Sequence, residues 1–191
     1  ERYHTEQDQA GTKLALTNLD HPDRFIRFAA RVALENQALF KWETEVIRSG
    51  SPDGLLALAR VGTPASQADL VEAVCGSIKQ GQVDDQTLLT FLRALQISFI
   101  RQGEPKKGTL IIVNDTLNRL YPSLSREANH ELCELLVYLE TPHIIDRTLT
   151  LLEESTDTRD WSHYLVYLRY VEKGWTTERR ERYLKALRRF E

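Results

Sequence analysis

Apolar residues recur along this chain with a helical period. Leu132, Leu135, Leu136 and Leu139 fall at i, i+3, i+4 and i+7, the spacing that lines one face of an α-helix. Trp161, Tyr164, Leu165, Leu168 and Val171 form a second stripe, Phe25, Ala29, Val32 and Ala33 a third, and Leu88, Leu92, Leu95 and Phe99 a fourth. One stretch runs against the trend. Leu110-Ile111-Ile112-Val113 is rich in β-branched residues and reads locally as strand. Leu110, Val113, Leu117 and Leu120 nevertheless keep the helical period through the next turns, so helix is predicted there and no sheet anywhere.

Proline and glycine punctuate these stripes. Ser51-Pro52, Thr63-Pro64 and Thr141-Pro142 each set a capping residue before a proline suited to the first helical position, and Asp20 is the expected cap before Pro22. Gly50, Gly62, Gly81, Gly103 and Gly174 follow apolar segments, where helices commonly end. The segments between are helical in length and pair through short turns. Second helices are expected to begin near positions 21, 51, 84, 123 and 157. A spacing of roughly 30–40 residues marks arrays of helical hairpins, in which stacking builds a continuous core. The expectation is an all-α solenoid of antiparallel helix pairs forming a single domain over 1–191; an irregular helical bundle is the rival.

The segment from Leu19 to Glu35, with Asp20-His21-Pro22 at a turn, Ile26-Arg27, Ala29-Ala30 and Ala33-Leu34, resembles the turn and second helix of a HEAT repeat. Alanines let two helices approach closely, and an arginine can reach an acceptor in an adjoining turn. The resemblance implies a right-handed HEAT-like α-solenoid in which Asp20 and Arg27 form the ladder between repeats. Later segments do not repeat this core intact. Together with Asn129 to Glu140 and Gly174 to Arg180, the motif is similar to the HEAT segment of large bacterial proteins that join a sugar-dehydrogenase-like β-propeller to a cytochrome c domain. That resemblance spans nearly the whole chain. It implies a HEAT module in an extracytoplasmic (periplasmic) protein, with neighbouring domains of the same polypeptide as partners, and transfers no redox activity to these residues.

Composition narrows the classes further. With 41% hydrophobic and 28% charged residues the chain has the balance of a globular protein. A net charge of −3 draws it to neither nucleic acid nor anionic lipid, and no apolar run approaches the ~20 residues of a membrane helix. The chain opens on Glu1 and contains no Met, as expected of a mature or excised segment, so the lack of a signal peptide carries little information on compartment.

The candidate chemistry is thin. The two cysteines, Cys75 and Cys133, form no Cys-x-x-Cys, so neither a disulfide framework nor covalent haem is expected. Gly103 to Thr109 imitates a phosphate-binding loop, but Thr109 follows Gly108 directly and Pro105 removes a backbone donor. Glu127-x-x-His130 and Glu140-x-x-His143 match the pair used by di-iron bundles. Pro142 splits the second pair across a turn, and Glu127, His130 and Glu134 lie opposite the leucine stripe, as a solvated face would. No catalytic, cofactor or metal site is assigned.

What remains is a surface. Second helices of successive pairs line one face of such an array. Arg24, Arg27 and Arg31, then Glu127, His130 and Glu134, then His163, Tyr167 and Tyr170 lie opposite the apolar stripes of three such helices. The expected groove is basic at its start, acidic further on and aromatic at its end. Acidic residues interleave with the basic ones, which disfavours nucleic acid and favours a protein partner. The reading is an interaction or scaffold module. The alternative is an enzyme with a cleft in the solenoid, such as a DNA glycosylase of HEAT-like fold.

Overall fold

The computed structural model describes residues 3, 7–81 and 83–188. Among them are eleven α-helices, a 3₁₀ turn at Leu39–Lys41 and no strand. The helices are α1 (Gln9–Asn18), α2 (Arg24–Glu35), α3 (Glu43–Ser49), α4 (Pro52–Val61), α5 (Gln67–Lys79), α6 (Asp85–Gln102), α7 (Lys107–Asn118), α8 (Arg126–Tyr138), α9 (Ile144–Glu154), α10 (Thr158–Leu168) and α11 (Thr177–Leu187). The second helices therefore start at Arg24, Pro52, Asp85, Arg126 and Thr158, each within a few residues of expectation. The β-branched run Leu110–Val113 lies inside α7, where Val113 and Leu117 are fully buried and Ile111 faces outward. Its period decides its structure, and its β propensity yields to that.

Acidic and hydroxyl caps set the starts. The side chains of Asp23, Asp84, Ser125, Asp157 and Thr176 accept from backbone N–H groups in the first turns of α2, α6, α8, α10 and α11, satisfying donors that have no partner within the helix. Three expected starts shift. Asp23 rather than Asp20 caps α2. Pro64 and Pro142 lie in the turns before α5 and α9, whose N-cap positions are Ser66 and His143. Only Pro52 occupies the first position of its helix, and Ser51 does not cap it; its hydroxyl donates instead to Asp20 Oδ1 at 2.8 Å. Gly50 ends α3 with φ +66°, a conformation that costs glycine nothing.

The chain forms two compact units, residues 1–113 and 114–191. In the first, α2, α4 and α6 lie side by side, with α1 on α2, α3 on α4, α5 on α6, and α3 against α5. Small residues make the centre of this layer possible: Ala57, Ala59 and Ala94 are fully buried, and a Cβ on Gly54 would come within 3.1 Å of Leu19 and Val46. Leu34, Leu55, Leu58, Leu70, Leu92 and Leu95 fill the core at 0% exposure, each contributing about 1.5–3 kcal/mol by leaving water. The α2 stripe is rotated from expectation. Ala30, Ala33 and Leu34 are buried, whereas Phe25, in the first turn, is exposed with the Arg24 guanidinium 4.7 Å from its ring centre.

In the second unit α8 and α10 lie side by side, α9 packs against both, and α11 packs against α9 and α10. Leu117, Leu132, Leu136, Leu149, Leu152 and Leu168 form its core. Both units thus show sequential pairwise packing of helices in two layers, a helical-repeat architecture.

Candidate functional site

The arginines of α2 meet the next helix pair. Arg27 Nε lies 3.3 Å from Asp53 Oδ2 on α4, and its Nη1 donates to the carbonyls of His21 and Pro22. Arg31 reaches Asp53 Oδ1 at 3.3 Å and Glu35 Oε1 at 3.5 Å, and Arg60 closes the chain on Glu35 at 2.8 Å. The result is an alternating ion zipper between α2 and α4. The charges of Arg27 and Arg31 face carboxylates, and Arg24 is the exposed member of the expected basic trio. Asp20 and Arg27, the ladder residues implied by the HEAT resemblance, both touch the following pair, through Ser51 and Asp53.

Five of the other six candidates come together on α8, α10 and the turn that follows α10. His130 and His163 stack with ring centres 4.1 Å apart and planes 12° from parallel. His130 Nε2 lies 2.8 Å from Asp160 Oδ1, and His163 Nε2 donates to the His130 carbonyl at 3.0 Å. Tyr164 meets both imidazoles edge-on from below. The Tyr167 ring sits 4.6 Å from His163, and its hydroxyl donates to Glu134 Oε2 at 2.5 Å. Tyr170 is 6.3 Å from Tyr167 and 69% exposed. Glu127, one turn before His130, is solvent-exposed. Burial, reinforced by the neighbouring His130, pulls His163 down to about 4, so it is neutral at pH 7. Burial also raises the Tyr167 phenol above its ordinary value, as do its bond to Glu134 and the charge of Glu131.

The geometry of this ridge has a regular origin. His130–His163, Glu134–Tyr167, Glu140–Lys173 and Asp146–Arg179 are each bonded pairs 33 residues apart. The hairpins α8–α9 and α10–α11 follow one another at an offset of 32 to 33 residues, so positions 33 apart meet across the seam. Asp160 was missed by sequence reasoning. It binds Arg126 Nε at 2.6 Å and Ser155 Oγ at 2.6 Å as well as His130, and so organises the seam's first turn. The signal for it was available in the repeated Arg126-Glu127 and Arg159-Asp160 one period apart.

Beyond the last turn of the ridge a cleft of about 220 Å³ opens between the α8–α9 and α10–α11 turns, floored by Val137, Ile144, Ile145 and Val171 and rimmed by Tyr170 and Lys173. Glu140 and His143 hold left-handed backbone there, with φ +49° and +65°, uncommon for residues other than glycine.

Reactive chemistry finds little support. Among the described residues no group of three His, Cys, Asp or Glu is placed to hold a metal ion. Cys75 and Cys133 are buried and form no disulfide, and burial pushes the Cys133 thiol up to about 12, leaving it a packed hydrophobe rather than a nucleophile. No described helix is long and apolar enough to cross a membrane. Comparison with known protein families, with curated proteins and with solved structures finds no match for this chain.

Proposed function

We propose that this chain is a protein-interaction or scaffold module of HEAT type, a right-handed solenoid of helix pairs, and that the α8–α10 ridge is its docking surface. The observation that carries the reading is the exposed aromatic end of that ridge. Tyr170 stands in solvent beside Tyr167 and above a small cleft with an apolar floor and charged walls that include Glu140, Glu172, Lys173 and Arg179. Tyrosine is enriched among the residues that dominate binding energy at protein interfaces, and a rigid ring beside a shallow cleft is a common anchoring arrangement. The ridge otherwise carries the carboxylates of Glu127 and Glu134 and the stacked imidazoles of His130 and His163, polar groups that can orient a partner.

The wider setting belongs to the same proposal. The module is a segment of a larger extracytoplasmic redox protein, positioning a partner or a neighbouring domain of its own polypeptide. That part rests on the likeness of Leu19 to Glu35, Asn129 to Glu140 and Gly174 to Arg180 to the HEAT segment between a propeller and a cytochrome c domain. The full reading frame tests it: a propeller upstream and a Cys-x-x-Cys-His downstream are expected, and their absence overturns the setting.

Docking is tested by placing a photo-crosslinking amino acid at position 170 or, as a control, at exposed position 150 on α9. Position 170 should give one discrete adduct, to a single protein or to a defined segment of the same polypeptide, and position 150 none. Equal adducts from both positions, or none from 170, would remove the ridge as a docking surface.

A further inference from the structure

The ridge has a chemical bias beyond being aromatic. Along α8, Glu127, Glu131 and Glu134 recur at i, i+4 and i+7 and so share one face. That face borders Tyr167, since both Glu131 and Glu134 act on its phenol. Three basic groups beside the ridge are already engaged: Arg126 by Asp157 at 2.9 Å and Asp160 at 2.6 Å, Arg159 by Asp157 at 2.8 Å, and Lys173 by Glu140 at 3.3 Å. Glu134 itself is bonded to a phenol, not to a cation. The two stacked imidazoles add no opposing charge from His163, which burial keeps neutral at pH 7.

We infer that the α8–α10 ridge binds a protein segment bearing lysine or arginine, with a cationic side chain directed at Glu134 and its alkyl stem laid across Tyr167 and Tyr170. This rests on the docking role proposed above and specifies its partner. A cation over a tyrosine face is attracted by the ring quadrupole, and long basic side chains cover apolar surface while keeping the charge in contact with acceptors. Complementary charge also fixes which partners are rejected. An acidic segment would set like charges against Glu127 and Glu134. An aliphatic helix would bury carboxylates against carbon, at a desolvation cost no contact offsets.

Three fluorescein-labelled decapeptides of alternating residues, Lys-Ala, norleucine-Ala and Glu-Ala, titrated into the intact chain by anisotropy at low salt, test the inference. The lysine peptide should bind at least tenfold more tightly than either of the others. Glu134→Gln, which keeps an acceptor for Tyr167, and Tyr170→Ala should each weaken it at least fivefold with unchanged thermal melts. Glu72→Gln with Glu104→Gln, two exposed carboxylates outside the ridge, should leave it unaltered. The inference falls if norleucine matches lysine, if Glu134→Gln has no effect, or if the remote pair weakens binding equally. If position 170 still captures its partner when lysine shows no advantage, the cationic assignment fails and the docking role stands. If neither occurs, both fail.

Discussion

Lowering the pH should loosen the α8–α10 seam through His163. In the fold its imidazole faces His130 and Glu134 from α8 and lies among Asp160, Tyr164 and Tyr167 of its own helix. Burial and His130 bring its pKa from the ordinary 6.5 to about 4. The unfolded chain therefore takes up this proton first as pH falls. The stabilisation associated with the neutral ring is complete above about pH 6.5 and is lost progressively as the pH falls towards 4. At 1.36 kcal/mol per pH unit the full interval corresponds to ~3 kcal/mol. Because the ring is only partly buried, solvent screening reduces the expected effect to ~1–2 kcal/mol. His163→Gln is the informative variant, since its amide can still donate to the His130 carbonyl but cannot titrate. Urea denaturation of both proteins at pH 7, 6, 5 and 4.5 should show the parent losing stability faster than the variant, with the gap opening below pH 6.5. Groups that do not interact with the imidazole contribute alike to both proteins and cancel in the difference. Parallel curves would mean that His163 is not held neutral by the stack.

Ala57→Leu, at a fully buried position on α4, should cost ~1–3 kcal/mol by overpacking, while Ala29→Leu, which lines a cleft of about 190 Å³ between α1 and α2, should shift the thermal midpoint little. Leu132→Ala, fully buried in the second unit, should cost ~2–5 kcal/mol in chemical denaturation; a loss below 1 kcal/mol would contradict the core described. Native protein at pH 8 should leave both cysteines unlabelled by a thiol reagent, and denaturant should expose both; labelling of Cys133 at the rate of a free thiol would contradict its burial.

Much of the fold was legible because helix starts and apolar periods are local. The starts expected near positions 51, 84 and 157 fall within a residue of those of α4, α6 and α10, and even the β-branched run at Leu110–Val113 followed its period into α7. Errors arose where a local signal has two readings. Thr63-Pro64 and Thr141-Pro142 look like helix starts but serve as turns, and Phe25 fits the helical period yet sits in a first turn with nothing above it. The candidate surface was legible in its membership and not in its bonds. Facing position alone selected Arg27 and Arg31 beside Tyr167 and Tyr170, yet the first two are bonded to Asp53 and the last stands in solvent. Which carboxylate an arginine meets depends on the relative height of two helices, a quantity no single stripe encodes.

The 33-residue correspondence between α8–α9 and α10–α11 bears on how such a chain changes length. At two of the equal positions opposite charges meet: Glu140 faces Lys173 and Asp146 faces Arg179. Suppose unequal recombination duplicated the earlier hairpin in place. Asp146 would then meet another Asp146 and Glu140 another Glu140, and a tandem copy of the later hairpin would oppose Arg179 to itself. Like charges at ion-pair distance oppose docking. A tandem copy would therefore exchange two ion pairs for like-charge contacts, a cost that the present order of the two hairpins does not carry.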